Sequence, residues 1–156
     1  MSIMKGLNMN LRSKMVNDIE AMHIKYQANE WVTKQLEAGD YSKLRQLLAF
    51  RLDFVEEEFD ETLKAFADGD AKEIVDGLID IIVIAIGTLD LFNVDTDWAW
   101  QEVMEANMKK EVGVKPSRPN PLGLPDLIKP EGWVGPDHTN NTGILTRVFN
   151  ERKLND

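Results

Sequence analysis

The chain has 156 residues, 43% of them hydrophobic and 29% charged, and no cysteine. That length supports one domain with a real core, and the lack of cysteine excludes disulfides and thiolate metal sites and suits a reducing, cytoplasmic location. A formal net charge of −9 argues against binding nucleic acid or an anionic membrane, and an anionic ligand would need a cation to mediate its contact.

The opening stretch, MSIMKGLNMNLRSK, has no secretory apolar core. Val16, Ile19, Met22, Tyr26, Val32 and Leu36 then approximate a 3.6-residue stripe, which predicts a first helix from about Ser13 to Glu37, with Gly39 near its end. A second helix is predicted from about Tyr41 to Ala67. Leu47, Leu48, Phe54 and Phe59 spread around its circumference, so it is expected to be heavily buried. Gly69 suits a C-cap. Asp70 suits the next N-cap, with Glu73 at the spacing of a capping box. The third helix is predicted from Ala71 to Phe92. Its β-branched run, IDIIVIAIGT, fits a strand as well, but its length and capped start favour a helix. It reads as buried, and it is too short and too interrupted by Asp80 and Asp90 to span a bilayer. Thr96 or Asp97 starts a fourth helix. All six prolines fall between Pro116 and Pro136. The expected fold is therefore an all-α bundle of four to five helices over residues 1–115. A Pro-rich irregular tail, 116–156, is expected to pack on the body or on a partner subunit.

The acids are distributed in stripes. At ~100° per residue, Glu57, Glu58 and Glu61 share one narrow face of the second helix, and Glu73, Asp76 and Asp80 share one of the third. Gly77 lies beside the latter stripe and allows close approach of a backbone or ligand. A short turn makes the two helices antiparallel neighbours, so the stripes can face each other. Each facing like pair costs roughly 4 kcal/mol at ~4 Å and an effective dielectric of ~20, so the group must bind protons or cations. An all-oxygen set without Cys or His suits Mg²⁺ or Mn²⁺. Glu56 and Asp60 read as a solvated face. Glu73 fits a capping box and a metal ligand equally. Asp80, within GLIDIIVIAI, is where a solvated acid is out of place.

These residues resemble a known family. RLDFVEEEFDE (51–61) is similar to the Glu-Glu-x-x-Glu helix of the MazG-like all-α nucleoside triphosphate pyrophosphohydrolases. VDGLIDIIVIAIGTLDLFNVD (75–95) resembles their second metal helix. EVMEANMKKEVGVKP (102–116), KPEGWVGPD (129–137) and DIEAMHIKY (18–26) resemble segments of the phosphoribosyl-ATP pyrophosphohydrolase-like branch. The resemblance implies that Glu58 and Glu61 are metal ligands, with Glu57 beside them as the candidate base, and that Asp80 is the Asp of the family's Glu-x-x-Asp. The Glu of that motif falls at Gly77 here. Asp76 is the substitute, and the register Glu73–Asp76 ranks second. Asn107 and Lys110, with Lys109 as a neighbour, match the family's polar pair, which the resemblance implies contacts substrate phosphates or metal.

The implied activity is Mg²⁺-dependent hydrolysis of nucleoside triphosphates, dNTPs foremost, to monophosphate and pyrophosphate, by a homo-oligomer, dimeric or tetrameric. The alternatives are an enzyme specific for phosphoribosyl-ATP or dUTP, and a non-enzymatic helical oligomerisation module. Tyr26, Trp31 and Trp133 are candidates for stacking on a base, each weighed against ordinary packing. His23 reads as structural. A di-iron bundle, which wants two Glu-x-x-His motifs, is set aside, because of the two histidines only His23 has a Glu three residues before it.

Overall fold

The computed structural model describes residues 12–117, 120–123 and 125–150. Most of the opening stretch, 1–11, lies outside them. Among the described residues the chain forms six helices and one short antiparallel ribbon: α1 (Lys14–Tyr26), α2 (Ala28–Glu37), α3 (Tyr41–Asp68), α4 (Ala71–Leu91), α5 (Thr96–Met108), β1 (Glu111–Gly113), β2 (Asp126–Ile128) and α6 (Leu145–Asn150). The all-α expectation holds. No helix among the described residues is long and apolar enough to cross a membrane.

The helix boundaries follow local chemistry. The Asp40 side chain accepts from the Lys43 amide at 3.0 Å and starts α3. Asp70 accepts from the amides of Lys72 and Glu73 at 3.1 and 3.2 Å and starts α4. Between them Gly69, at φ 69°, closes α3 in the left-handed region that glycine adopts without cost.

The single first helix is corrected to two. Gln27 has φ 57° and both ends α1 and begins α2. The reason lies in which residues must be buried. Val16, Ile19 and His23 are the buried residues of α1, and Val32 is that of α2. On one continuous helix Val32 would stand ~160° from Val16, on nearly the opposite face. The break lets both faces pack inward.

The chain resolves into two compact units, residues 1–96 with 142–156, and residues 97–141. In the first, α3 and α4 pack antiparallel, joined by the Gly69–Asp70 turn. Arg51 on α3 bonds to Ile84 on α4, and Thr62 abuts Gly77. The core gathers Val32, Leu44, Leu91, Phe92 and Val148. Val148 arrives from the end of the described chain. The Ile144 amide donates to the Phe92 carbonyl at 2.9 Å, and Arg45 donates to the Val148 carbonyl at 2.9 Å. Gly143, at φ 53°, passes so close to the Phe92 and Asn93 carbonyls that a side chain has no room there.

The heavy burial expected of the second and third helices is corrected as well. Within the chain α3 buries only Leu44 and Ala65, while Phe50, Phe59 and Phe66 on α3 and Val75, Leu78 and Ile79 on α4 are exposed. Helices apolar around most of their circumference need cover on several sides, and α3 and α4 chiefly cover one side of each other.

The second unit is α5 with the ribbon and loops that follow it. Glu111 pairs with Ile128, Val112 with Leu127 and Gly113 with Asp126. The Trp133 indole donates to the Ala106 carbonyl at 2.8 Å, and the Asp137 amide donates to Glu102 at 3.2 Å.

Candidate functional site

Glu57, Glu58 and Glu61 stand on α3, and Asp76 and Asp80 on α4. Glu58 and Asp80 are half-buried, while Glu57, Glu61 and Asp76 are exposed. The two helices come close beside these acids. A β-carbon at Gly77 would collide with the Thr62 hydroxyl and lie 3.3 Å from the Thr62 β-carbon. Thr62 is itself tied down, donating to the Glu58 carbonyl at 2.7 Å. Gly77 thus permits the tight approach of α3 and α4 beside these acids.

The electrostatic consequence falls on Glu58. Partial burial raises its carboxyl pKa above the ordinary range, and the negative charges of Asp80, Glu61, Glu57 and Asp76 raise it further. The structure therefore brings Glu58 into the field of four acids drawn from two helices. Glu73 is not among them; its backbone amide serves the Asp70 cap. Among the described residues no three acidic or imidazole groups stand together as a metal-ligand set. Asn107, Lys109 and Lys110 belong to the other unit. Lys110 holds its ammonium group 5.3 Å from the centre of the Trp133 ring.

A polar cluster that the sequence reading did not assemble lies further along α4. His23 is buried, and its Nδ1 is 2.6 Å from Asp90. Asn29 also donates to Asp90, at 3.4 Å. Arg51 donates from Nε to Thr88 at 3.0 Å and from its terminal nitrogen to the Ile84 carbonyl at 2.9 Å. Gly87 opens the space: a β-carbon there would stand 2.7 Å from the Arg51 guanidinium and 3.2 Å from His23 Nε2. The available signal was Asp90 itself, a second acid in the apolar run of α4. Its partner is 67 positions away, which no local pattern reveals. The structural reading of His23 fits its burial and pairing.

A family model described as phosphoribosyl-ATP pyrophosphohydrolase matches residues 27–107. The match runs from the junction of α1 and α2 almost to the end of α5 and takes in both acidic helices. No curated protein matches the chain.

Proposed function

Because the chain belongs to the phosphoribosyl-ATP pyrophosphohydrolase family, within the MazG-like superfamily, and that membership supports a nucleotide pyrophosphohydrolase activity, we propose that it hydrolyses nucleoside triphosphates, dNTPs foremost, between the α- and β-phosphates. The observation that carries this reading is Glu58, whose carboxyl pKa is raised by partial burial and by the charges of four acids from two helices. Such a group takes up protons or binds cations.

The donor set is all oxygen and strongly negative, which fits a hard divalent ion, Mg²⁺ or Mn²⁺. Glu58, Glu61, Asp76 and Asp80 would hold it. When bound, it supplies charge neutralisation for phosphate oxygens and a lowered pKa for a water. Glu57, next to Glu58 and exposed, takes the proton of the attacking water. The water oxygen bonds to the α-phosphorus. The bond from that phosphorus to the α–β bridging oxygen breaks, and its electron pair leaves with pyrophosphate. The proton held by Glu57 passes to solvent. Asn107, Lys109 and Lys110 are assigned to phosphate contacts by the resemblance in sequence. The exposed apolar faces of α3 and α4 support a homo-oligomer, checked by light scattering at micromolar concentration, where a monomeric mass contradicts it.

The family's description as phosphoribosyl-ATP pyrophosphohydrolase supports a second substrate, phosphoribosyl-ATP. One experiment separates the two readings: product analysis with Mg²⁺ on ribo- and deoxyribonucleoside triphosphates, dUTP included, and on phosphoribosyl-ATP, beside an Asp80→Asn control. Monophosphate and pyrophosphate from several dNTPs, absent in the control, are expected. Turnover of phosphoribosyl-ATP alone selects the second reading. Equal turnover by the control removes the α3–α4 carboxylates from the chemistry.

A further inference from the structure

Beside the acids, α3 and α4 meet through two small residues. Thr62 on α3 is half-buried and Gly77 on α4 is buried. A β-carbon on Gly77 would overlap the Thr62 hydroxyl, lie 3.3 Å from the Thr62 β-carbon and 3.6 Å from its α-carbon. The hydroxyl therefore sits against Gly77, where any other residue at that position would begin its side chain.

The hydroxyl is also held in place from its own helix. It donates to the Glu58 carbonyl at 2.7 Å, one turn back along α3, and a bond of this kind selects the threonine rotamer. Two other threonines make the same bond, Thr33 to Asn29 at 2.9 Å and Thr88 to Ile84 at 2.7 Å. Thr33 is exposed on α2, and Thr88 accepts from Arg51. The Thr62 hydroxyl instead abuts the backbone of a neighbouring helix.

The contact lies among the acids on both sides. Thr62 directly follows Glu61 and stands four residues after Glu58; Gly77 directly follows Asp76 and stands three before Asp80. The negative charges of Asp76 and Asp80 reach Glu58 from the other helix. Carboxylates carried on two helices can close on one ion only if the helices stand at the right separation, and metal–oxygen distances tolerate departures of only about 0.2 Å.

We infer that Thr62 is a positioning residue for the divalent ion: its hydroxyl, seated on Gly77, is the spacer that sets how far Glu58 and Glu61 on α3 stand from Asp76 and Asp80 on α4. This role rests on the reading of those four acids as ligands of a divalent ion. Thr62 acts through the separation of the helices and not on the substrate.

The test is titration of the full chain with MnCl₂, free Mn²⁺ being counted by electron paramagnetic resonance. Thr62→Ala opens the gap between the helices and is expected to weaken Mn²⁺ binding about tenfold, the lower end of the loss for residues that orient metal ligands, with helicity and melting midpoint retained. Thr62→Ser keeps the hydroxyl and is expected to stay within about threefold of wild type. Gly77→Ala fills the same gap from α4, so the double variant Thr62→Ala with Gly77→Ala is expected to recover most of the loss. Thr33→Ala loses the equivalent bond on α2 and is expected to stay within about twofold. Binding by Thr62→Ala within about twofold of wild type, beside an Asp80→Asn variant weakened tenfold or more, overturns the role of Thr62 and leaves the ion site standing. A loss in Thr62→Ala that neither Thr62→Ser nor the double variant recovers overturns it as well. Wild-type binding no tighter than that of Asp80→Asn overturns the ion site and the role of Thr62 with it.

Discussion

The α3–α4 pair carries charge in two regions, and the regions handle it in opposite ways. Toward the C-terminal half of α4, Arg51 reaches Thr88 and the Ile84 carbonyl, while His23 and Asn29 converge on Asp90. Toward the N-terminal half, around Gly77, Glu58 meets the charges of Asp80, Glu61, Glu57 and Asp76. Both regions depend on a glycine of α4, Gly87 in one and Gly77 in the other, because each needs two elements closer than a side chain allows. The first region is complete from its own residues and holds the fold. In the second the surrounding charges all have the sign of Glu58 itself, and they raise its pKa.

The sharpest way to break this comparison is to remove charge from the acidic region. Glu58→Gln and Asp80→Asn are each expected to lower kcat/KM by ~10³-fold or more while helicity and melting are retained. Retained activity in both variants would place the chemistry elsewhere. In the complete region the expectation reverses. His23→Ala leaves Asp90 short of a partner and opens a cavity beside Gly87. It is expected to cost about 2–3 kcal/mol in denaturant melts. An unchanged midpoint would show that the pair holds nothing.

Gly77→Ala tests the helix contact itself. Its new methyl group meets Thr62 and is expected to cost about 1–3 kcal/mol. The double variant with Thr62→Ala removes the clashing hydroxyl and should recover most of that loss; failure to recover would mean that the strain lies elsewhere.

The smallest effect is one of pH. The Glu58 pKa is raised in the folded protein, so the fold binds this proton at a pH where the unfolded chain has released it. The group's stabilising contribution is therefore full below the ordinary glutamate range and declines as pH rises through the raised value. Melting of the metal-free protein across about pH 4 to 8 should show that decline, and Glu58→Gln should flatten it. A wild-type profile already as flat as the variant's would mean that the neighbouring charges do not act on Glu58.

Much of this was legible because its causes are local. The apolar period, Gly69 and the Asp70 cap define α3 and α4 from residues within a turn or two of each other, and the short link makes the pair antiparallel. The acid stripes follow from helical geometry once those helices exist. The break at Gln27 was not legible: neither glycine nor proline marks it, and it exists because Val16 and Val32 must both face inward. Nor was Val148 legible as core, since it joins Leu44 and Phe92 only after the chain returns through Gly143. Lys110, Lys129 and Trp133 were visible as residues, but the seating of both lysines on the Trp133 ring was not, because it depends on how the chain folds back after α5.

By itself, then, the sequence determined the helical class, the caps, the carboxylate stripes on α3 and α4 and the family, all of which rest on spacing within a helix or on ordered motifs. Only the tertiary structure decided which charges are answered and which are not. Arg51, His23 and Asp90 find hydrogen-bond partners on other elements, whereas Glu58 finds further acids. Whether a charge is neutralised depends on the distance to groups far away along the chain, and that distance is a property of the packed fold.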